Sequence, residues 1–114
     1  MDKFQKVPFA ITICDREGNI LDMNERSCQT YEKYGNIIGR SLFECHPPHA
    51  AEILRGLLAN HNVNAYTIEK EGIHKLIYQS PWYDKNGNFA GYIELSLPIP
   101  ADMPHYVRTP QPKQ

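Results

Sequence analysis

The chain has few of the features that would tie it to a nucleic acid, a membrane or a disulfide scaffold. Its 12 Lys and Arg nearly balance 13 Asp and Glu, for a formal charge of -1. No basic run of the kind that tracks a phosphate backbone occurs, so direct nucleic-acid binding is not expected. No apolar stretch approaches the ~18 residues that span a bilayer, so no membrane association is expected either. The opening "MDKFQKVPFAITIC" carries both signs of charge and no small-residue cleavage site, which predicts a cytoplasmic protein. Three cysteines, Cys14, Cys28 and Cys45, are an odd count without CxxC spacing. That excludes a disulfide framework and a zinc ribbon and leaves reduced thiols. Internal repeats are absent as well.

What is present is enough for one domain. A length of 114 residues with 41% hydrophobic side chains supports a single small core. In "FAITICDREGNILDMN", Phe9, Ile11 and Ile13 alternate with Ala10, Thr12 and Cys14, and "DREGN" supplies a turn, predicting a hairpin. Asn24 is a good N-cap for a short helix with Cys28, Tyr31 and Tyr34 at helical spacing, ended by Gly35. "NIIGRSLFECHPP" reads as irregular, with a helical turn around Ile37 and Ile38. After the proline pair, "HAAEILRGLLANH" places Ala50, Ile53, Leu54, Leu57 and Leu58 on one stripe, the clearest helix in the chain. Three strands follow, "VNAYTIEK", "IHKLIYQSPWY" and "FAGYIELSL", separated by the turn signals "EG" and "DKNGN". Pro98, Pro100, Pro104, Pro110 and Pro112 then exclude regular helix or central strand and predict an extended or disordered proline-rich tail over 98–114.

This order of elements is an α+β layout, and it resembles the PAS domain family. The resemblance is carried by "ITICDREGNILDMNERSCQTY", by "IIGRSLFECHPP" before the long helix, and by "SPWYDKNGNFAGYIELS" at the closing hairpin. It covers residues 8–97, and "CHPPHAAEIL" is similar to small PAS domains with a CHPP loop. It implies a five-stranded antiparallel sheet in order 2-1-5-4-3, helices covering one face, and a pocket between sheet and long helix. The implied role is a sensory or interaction module without catalytic activity that binds a small ligand or cofactor, mediates homodimerisation, or contacts a signalling protein. The fold alone does not choose among these.

Residues that would line such a pocket narrow the choice. Cys45 and His46 form its candidate rim, Leu54 and Leu58 its helix wall, and Tyr66 and Tyr78 its sheet wall. Tyr66 and Ile68 fall at alternating positions, as do Leu76, Tyr78 and Trp82, and these sets are expected to share a face with Ile93 and Leu95. A buried tyrosine hydroxyl without a partner costs about 1–3 kcal/mol. A polar ligand would supply that partner; the alternative is that the rings simply fill the core.

Covalent flavin photochemistry of the LOV type is not expected, because Gly39-Arg40-Ser41 is followed by Leu42 where the reactive cysteine would stand. Non-covalent flavin stays open. Haem sensors of the family ligate iron from a histidine within the long helix, where this chain has Leu54. His46 or Cys45 remains the alternative haem or metal ligand. Cys45, His46 and His49 alone do not complete a zinc site, and Cys-His catalysis lacks an orienting third group. The cofactor is left unknown.

Only "MDKFQKV" precedes the first strand. The outer sheet face, expected to carry Ala10, Thr12, Tyr92 and Ser96, is therefore expected to pack in a homodimer, with the proline-rich tail laid across it.

Overall fold

The computed structural model describes residues 1–110. A 3-10 turn at Asp2–Phe4 leads into β1 (Ala10–Asp15) and β2 (Ile20–Met23). Then come α1 (Glu25–Thr30), a second 3-10 turn at Glu32–Tyr34, α2 (Leu42–Cys45) and α3 (Pro48–Asn60). β3 (Asn64–Lys70), β4 (Ile73–Tyr83) and β5 (Phe89–Ile99) complete one antiparallel sheet in order β2-β1-β5-β4-β3. The helices lie between its two halves in the chain and cover one face, as the α+β resemblance implied.

Two hairpins use one device. The Asp15 carboxylate accepts from the backbone N–H groups of Glu17 and Asn19, both at 2.9 Å. Asp84 does the same for Asn86 at 2.9 Å and Asn88 at 3.0 Å. Each aspartate satisfies turn N–H groups that no strand partner reaches. Asn24 is a third such anchor and is fully buried. Its Oδ1 accepts from Ile11 N and Ser27 N, capping α1, while its Nδ2 donates to the carbonyls of Phe4 and Phe9. One amide thus fixes the N-terminal segment, β1 and α1 together, with its full hydrogen-bonding capacity used.

Several local expectations are revised. The helical turn expected at Ile37 and Ile38 forms instead at Leu42–Cys45, where Ser41 Oγ accepts from Phe43 N at 3.1 Å. On α1 it is Ser27 that is buried, and Cys28 is exposed. β5 continues through Pro98 to Ile99, two residues into the expected tail. Pro98 lies beyond Ala10↔Ser96, the last pair with β1, so β5 there has β4 as its one neighbour. A strand edge of this kind tolerates a missing N–H. Residues 100–110 are irregular and exposed, and 111–114 of that tail lie outside the described residues.

The largest correction concerns the faces of the sheet. Tyr66 pairs with Ile77, and Ile68 with Lys75. Residues opposite one another share a face, so Ile77 and Gln79 join Tyr66 on the helix-covered side. Leu76, Tyr78 and Trp82 fall on the outer side with Ile93 and Leu95. Ala10, Thr12, Tyr92 and Ser96 are on the inner side, with Thr12 and Tyr92 buried. A one-residue change of register exchanges every side chain between faces, and both alternating sets of β4 contain apolar residues, so alternation alone does not choose.

The core fills the β2-β1 half of the inner face: Cys14, Ile20, Met23, Ile37, Leu42, Cys45, Leu57 and Tyr92 pack together. Gly91 permits the close approach of β1 and β5 beside it. Its φ is +149°, and a Cβ there would lie 1.9 Å from the Cys14 carbonyl oxygen. Trp82, its partner on β4, donates from Nε1 to that same oxygen at 3.0 Å, so the indole crosses β5 at the residue without a side chain. Gly91→Ala is therefore expected to cost at least ~3 kcal/mol. Urea unfolding followed by fluorescence of Trp82, the sole tryptophan, measures it; a loss below ~1 kcal/mol would contradict this account.

Candidate ligand-binding site

The α3 helix is fastened near both ends and stands away from the sheet between them. At its start Pro47 is extended and Pro48 occupies the first turn, where a missing N–H costs nothing. At its end His61 adopts the left-handed conformation and stacks on Phe89, with ring centroids 3.6 Å apart. Tyr92 reaches across from β5, its hydroxyl 2.8 Å from the Leu57 carbonyl and 2.7 Å from that of Asn62. The phenol has one hydrogen to share between them. Under the helix lies a cavity of about 500 Å³.

Its walls are largely apolar. Ala50, Ile53, Leu54 and Leu57 come from α3, with Leu42 beside them and Ile77 on the sheet. Ile53, Tyr66 and Ile68 gather at the mouth, where they remain 44%, 45% and 39% exposed. Three large apolar side chains kept in water around one opening are costly unless something covers them. Ala51, rather than Ala50, is the buried alanine of α3.

The floor carries a polar row. Asn64, Gln79, Glu94 and Thr12 stand side by side on β3, β4, β5 and β1. Asn64 Nδ2 donates to Gln79 Oε1, and Gln79 Nε2 donates to Glu94 Oε2, each at 2.7 Å. Thr12 is hydrogen-bonded to Ser27 on α1 through their hydroxyls. Burial, with the Glu94 charge second, raises the Tyr31 phenol well above its ordinary range, and the same two causes in the same order raise that of Tyr66. Both phenols therefore stay protonated donors at neutral pH.

The six sequence-derived candidates separate. His46, Leu54 and Tyr66 line the cavity. Cys45 does not: its sulfur is buried in the core and faces the Ser41 carbonyl at 3.9 Å, because α2 turns it away from the opening. Leu58 is turned one helical position past the opening and packs toward the core near Gly18. Tyr78 is on the outer sheet face, for the register reason given above. The sequence reading missed Tyr31, Asn64, Gln79 and Glu94. For Glu94 a signal exists, a lone carboxylate in the middle of the otherwise apolar "YIELSL".

Neither haem nor a metal fits these residues well. His46 Nδ1 lies 2.8 Å from the Leu42 carbonyl, so it carries the proton and leaves Nε2 as the free nitrogen. A hydrogen bond that fixes the ring from its other nitrogen suits a ligating imidazole. Yet Cys45 is withdrawn, and among the described residues no Lys or Arg lines the cavity to meet haem propionates. Nor do three or more His, Cys, Asp or Glu side chains converge among the described residues.

A family model described as PAS fold matches residues 4–101. No curated protein matches the chain. Among solved structures, the PAS domain of the histidine kinase ThkA superposes with a TM-score of 0.64 at 21% identity, covering 78% of this chain and 97% of that one. The PAS domain of BvgS from Bordetella pertussis gives 0.66 at 20%, covering 87% and 82%. The Aer2 receptor of Vibrio cholerae, a dual PAS-haem oxygen sensor, gives 0.61 at 15%, covering 81% and 95%. At these identities the likeness is one of fold.

Burial lifts the Cys14 thiol on the inner face from 9.0 to about 11. The folded chain then keeps a proton that the unfolded chain releases above pH 9, so stability falls as pH rises from 9 to 11. Tyr31, Tyr66 and Tyr92 act in the same direction at higher pH. The Cys14 share is about 2 kcal/mol by the upper end. Urea unfolding across this range should show wild type losing that much more than Cys14→Ala, and equal losses would place the titration elsewhere.

Proposed function

The chain belongs to the PAS family, whose domains serve as sensory modules in signal transduction, and from that premise we propose that it senses a small molecule held under α3. The observation that carries this is the cavity itself: about 500 Å³, apolar-walled, with a polar row on its floor and exposed apolar residues at its mouth. That size and mixture are typical of small-ligand sites. Its chemistry supports binding rather than catalysis, since no nucleophile is paired with a base among the lining residues.

The output we propose is homodimerisation through the outer sheet face, which also offers a surface to a signalling partner. That face carries Ile13, Leu76, Tyr78, Ile93, Leu95 and Leu97 by the strand pairing, with Ile11 beside them already buried within the chain. It is more apolar than the Ala10, Thr12, Tyr92 and Ser96 set first expected there. The two faces are joined through β5, where Glu94 points to the cavity and its neighbours Ile93 and Leu95 point outward. A ligand shifts dimer packing only as far as it binds one arrangement better than the other.

Two experiments test the reading. Native mass spectrometry of freshly purified protein is expected to show a bound small molecule, its occupancy reduced in Leu54→Trp, whose indole intrudes into the cavity, with circular dichroism checking that the variant is folded. Only bare protein mass, with no thermal stabilisation by any of a library of small molecules, would favour a ligand-free dimerisation adaptor. In sedimentation velocity at tens of micromolar, an ordinary range for such interfaces, wild type is expected to run as a dimer and Tyr78→Glu as a monomer. A monomeric wild type would sink the outer-face dimer.

A further inference from the structure

The hydrogen-bond direction along the cavity floor constrains what the ligand can be. Asn64 donates to Gln79, and Gln79 donates to Glu94. Gln79 therefore has its carbonyl oxygen and an amide hydrogen already engaged, and the row ends in a carboxylate that can only accept. Among the described residues no Lys or Arg lines the cavity to neutralise it. Tyr31 and Tyr66 line the same cavity as Glu94, so two aromatic rings share its space. Aromatic faces attract cations, and more strongly where water is displaced. An anionic ligand would instead be set against Glu94 in an apolar enclosure, an arrangement that disfavours both charges.

We propose that the cavity recognises a small organic cation: a protonated amine on an apolar body, its ammonium group donating to Glu94 beside Tyr31 and Tyr66. The apolar body packs on Ile53, Leu54 and Ile77. The ammonium brings the hydrogen-bond donors that the carboxylate lacks. This rests on the reading that the cavity holds a small molecule.

The test compares three probes of nearly one shape: phenethylamine, phenethyl alcohol and hydrocinnamate, a cation, a neutral alcohol and an anion. Each is titrated by calorimetry into the full chain, with NMR of the Asn64 and Gln79 side-chain amides locating the site. The amine is expected to bind at least ~10-fold tighter than either of the others, the scale of a charge-assisted contact. In Glu94→Gln, which preserves size and can still accept from Gln79, its affinity should fall to that of the alcohol. The wild-type comparison stands even if that variant folds poorly. Equal binding of amine and alcohol, or tightest binding of the acid, overturns the cation and leaves the cavity reading intact. Absence of binding by all three also overturns the cation, while the cavity reading is judged separately by native mass spectrometry.

Discussion

The hydroxyl of Tyr92, shared between the carbonyls of Leu57 and Asn62, is the contact on which the rest of this molecule turns. α3 ends there, and the left-handed His61 lets the chain reverse into β3. An aromatic ring alone would pack the helix end on the sheet, but hydrogen bonds to one carbonyl of its last turn and one just past its end also fix how far away it stands. The Leu57 carbonyl already accepts from His61 N at 2.8 Å, so the phenol is its second donor, and the Asn62 carbonyl just past the helix end would be costly if buried unmet. The stack of His61 on Phe89 and the edge contact of Phe89 with Tyr92 brace the same corner. With that end set by β5 and the other set by the Pro47-Pro48 start, the space beneath α3 is held open rather than closed by collapse.

A sheet with one covered face is expected to be apolar inside and polar outside. In the β5-β4-β3 half that division breaks down. The inner face sets Asn64, Gln79, Glu94 and Lys75 among Tyr66, Ile68 and Ile77, and the outer face presents Leu76, Tyr78, Leu95 and Leu97. The core occupies the other half, around Cys14, Ile20 and Met23, although Ile11 and Ile13 make its outer side apolar as well. The polar row lies beneath the cavity, and satisfying its groups across three strands keeps their desolvation cost low. The apolar side chains of the outer face are the physical ground for the proposed dimer.

Much of the fold was legible in the residues. The DREGN and DKNGN turns, the Asn24 cap and the proline start of α3 are local signals with local causes, and each appears where its chemistry requires. The strand order came from the family resemblance and not from any pattern of apolar residues. The site was legible only in part. His46, Leu54 and Tyr66 could be placed at the cavity because a loop before a proline, a helix stripe and an edge strand each have one inward direction. Tyr78 was misplaced because β4 reads as amphipathic in either register, and which set faces inward is decided by pairing with β3 and β5. Glu94 and Gln79 went unnoticed for a related reason. A polar residue on a strand is ordinarily assigned to water, and only the pairing of three strands shows that these two point under a helix.

The placement of Tyr92 and Glu94 joins the themes of tether and charge. They are two residues apart on β5, so their side chains lie on one face, one gripping the helix and the other facing the ligand space. Between and beyond them, Ile93 and Leu95 point to the opposite face. β5 has neighbours on both sides over this stretch, β1 and β4, so it cannot yield as an edge strand would. A backbone shift at Glu94, beyond what its side chain takes up by rotation, would therefore be carried by the strand as a whole. It is then transmitted to the tether of α3 on one face and to Ile93 and Leu95 on the other. In a closely packed interior small displacements propagate rather than dissipate. The central strand is thus the element through which a molecule beneath α3 can alter the surface that a second subunit meets, provided that the two arrangements differ in their affinity for it.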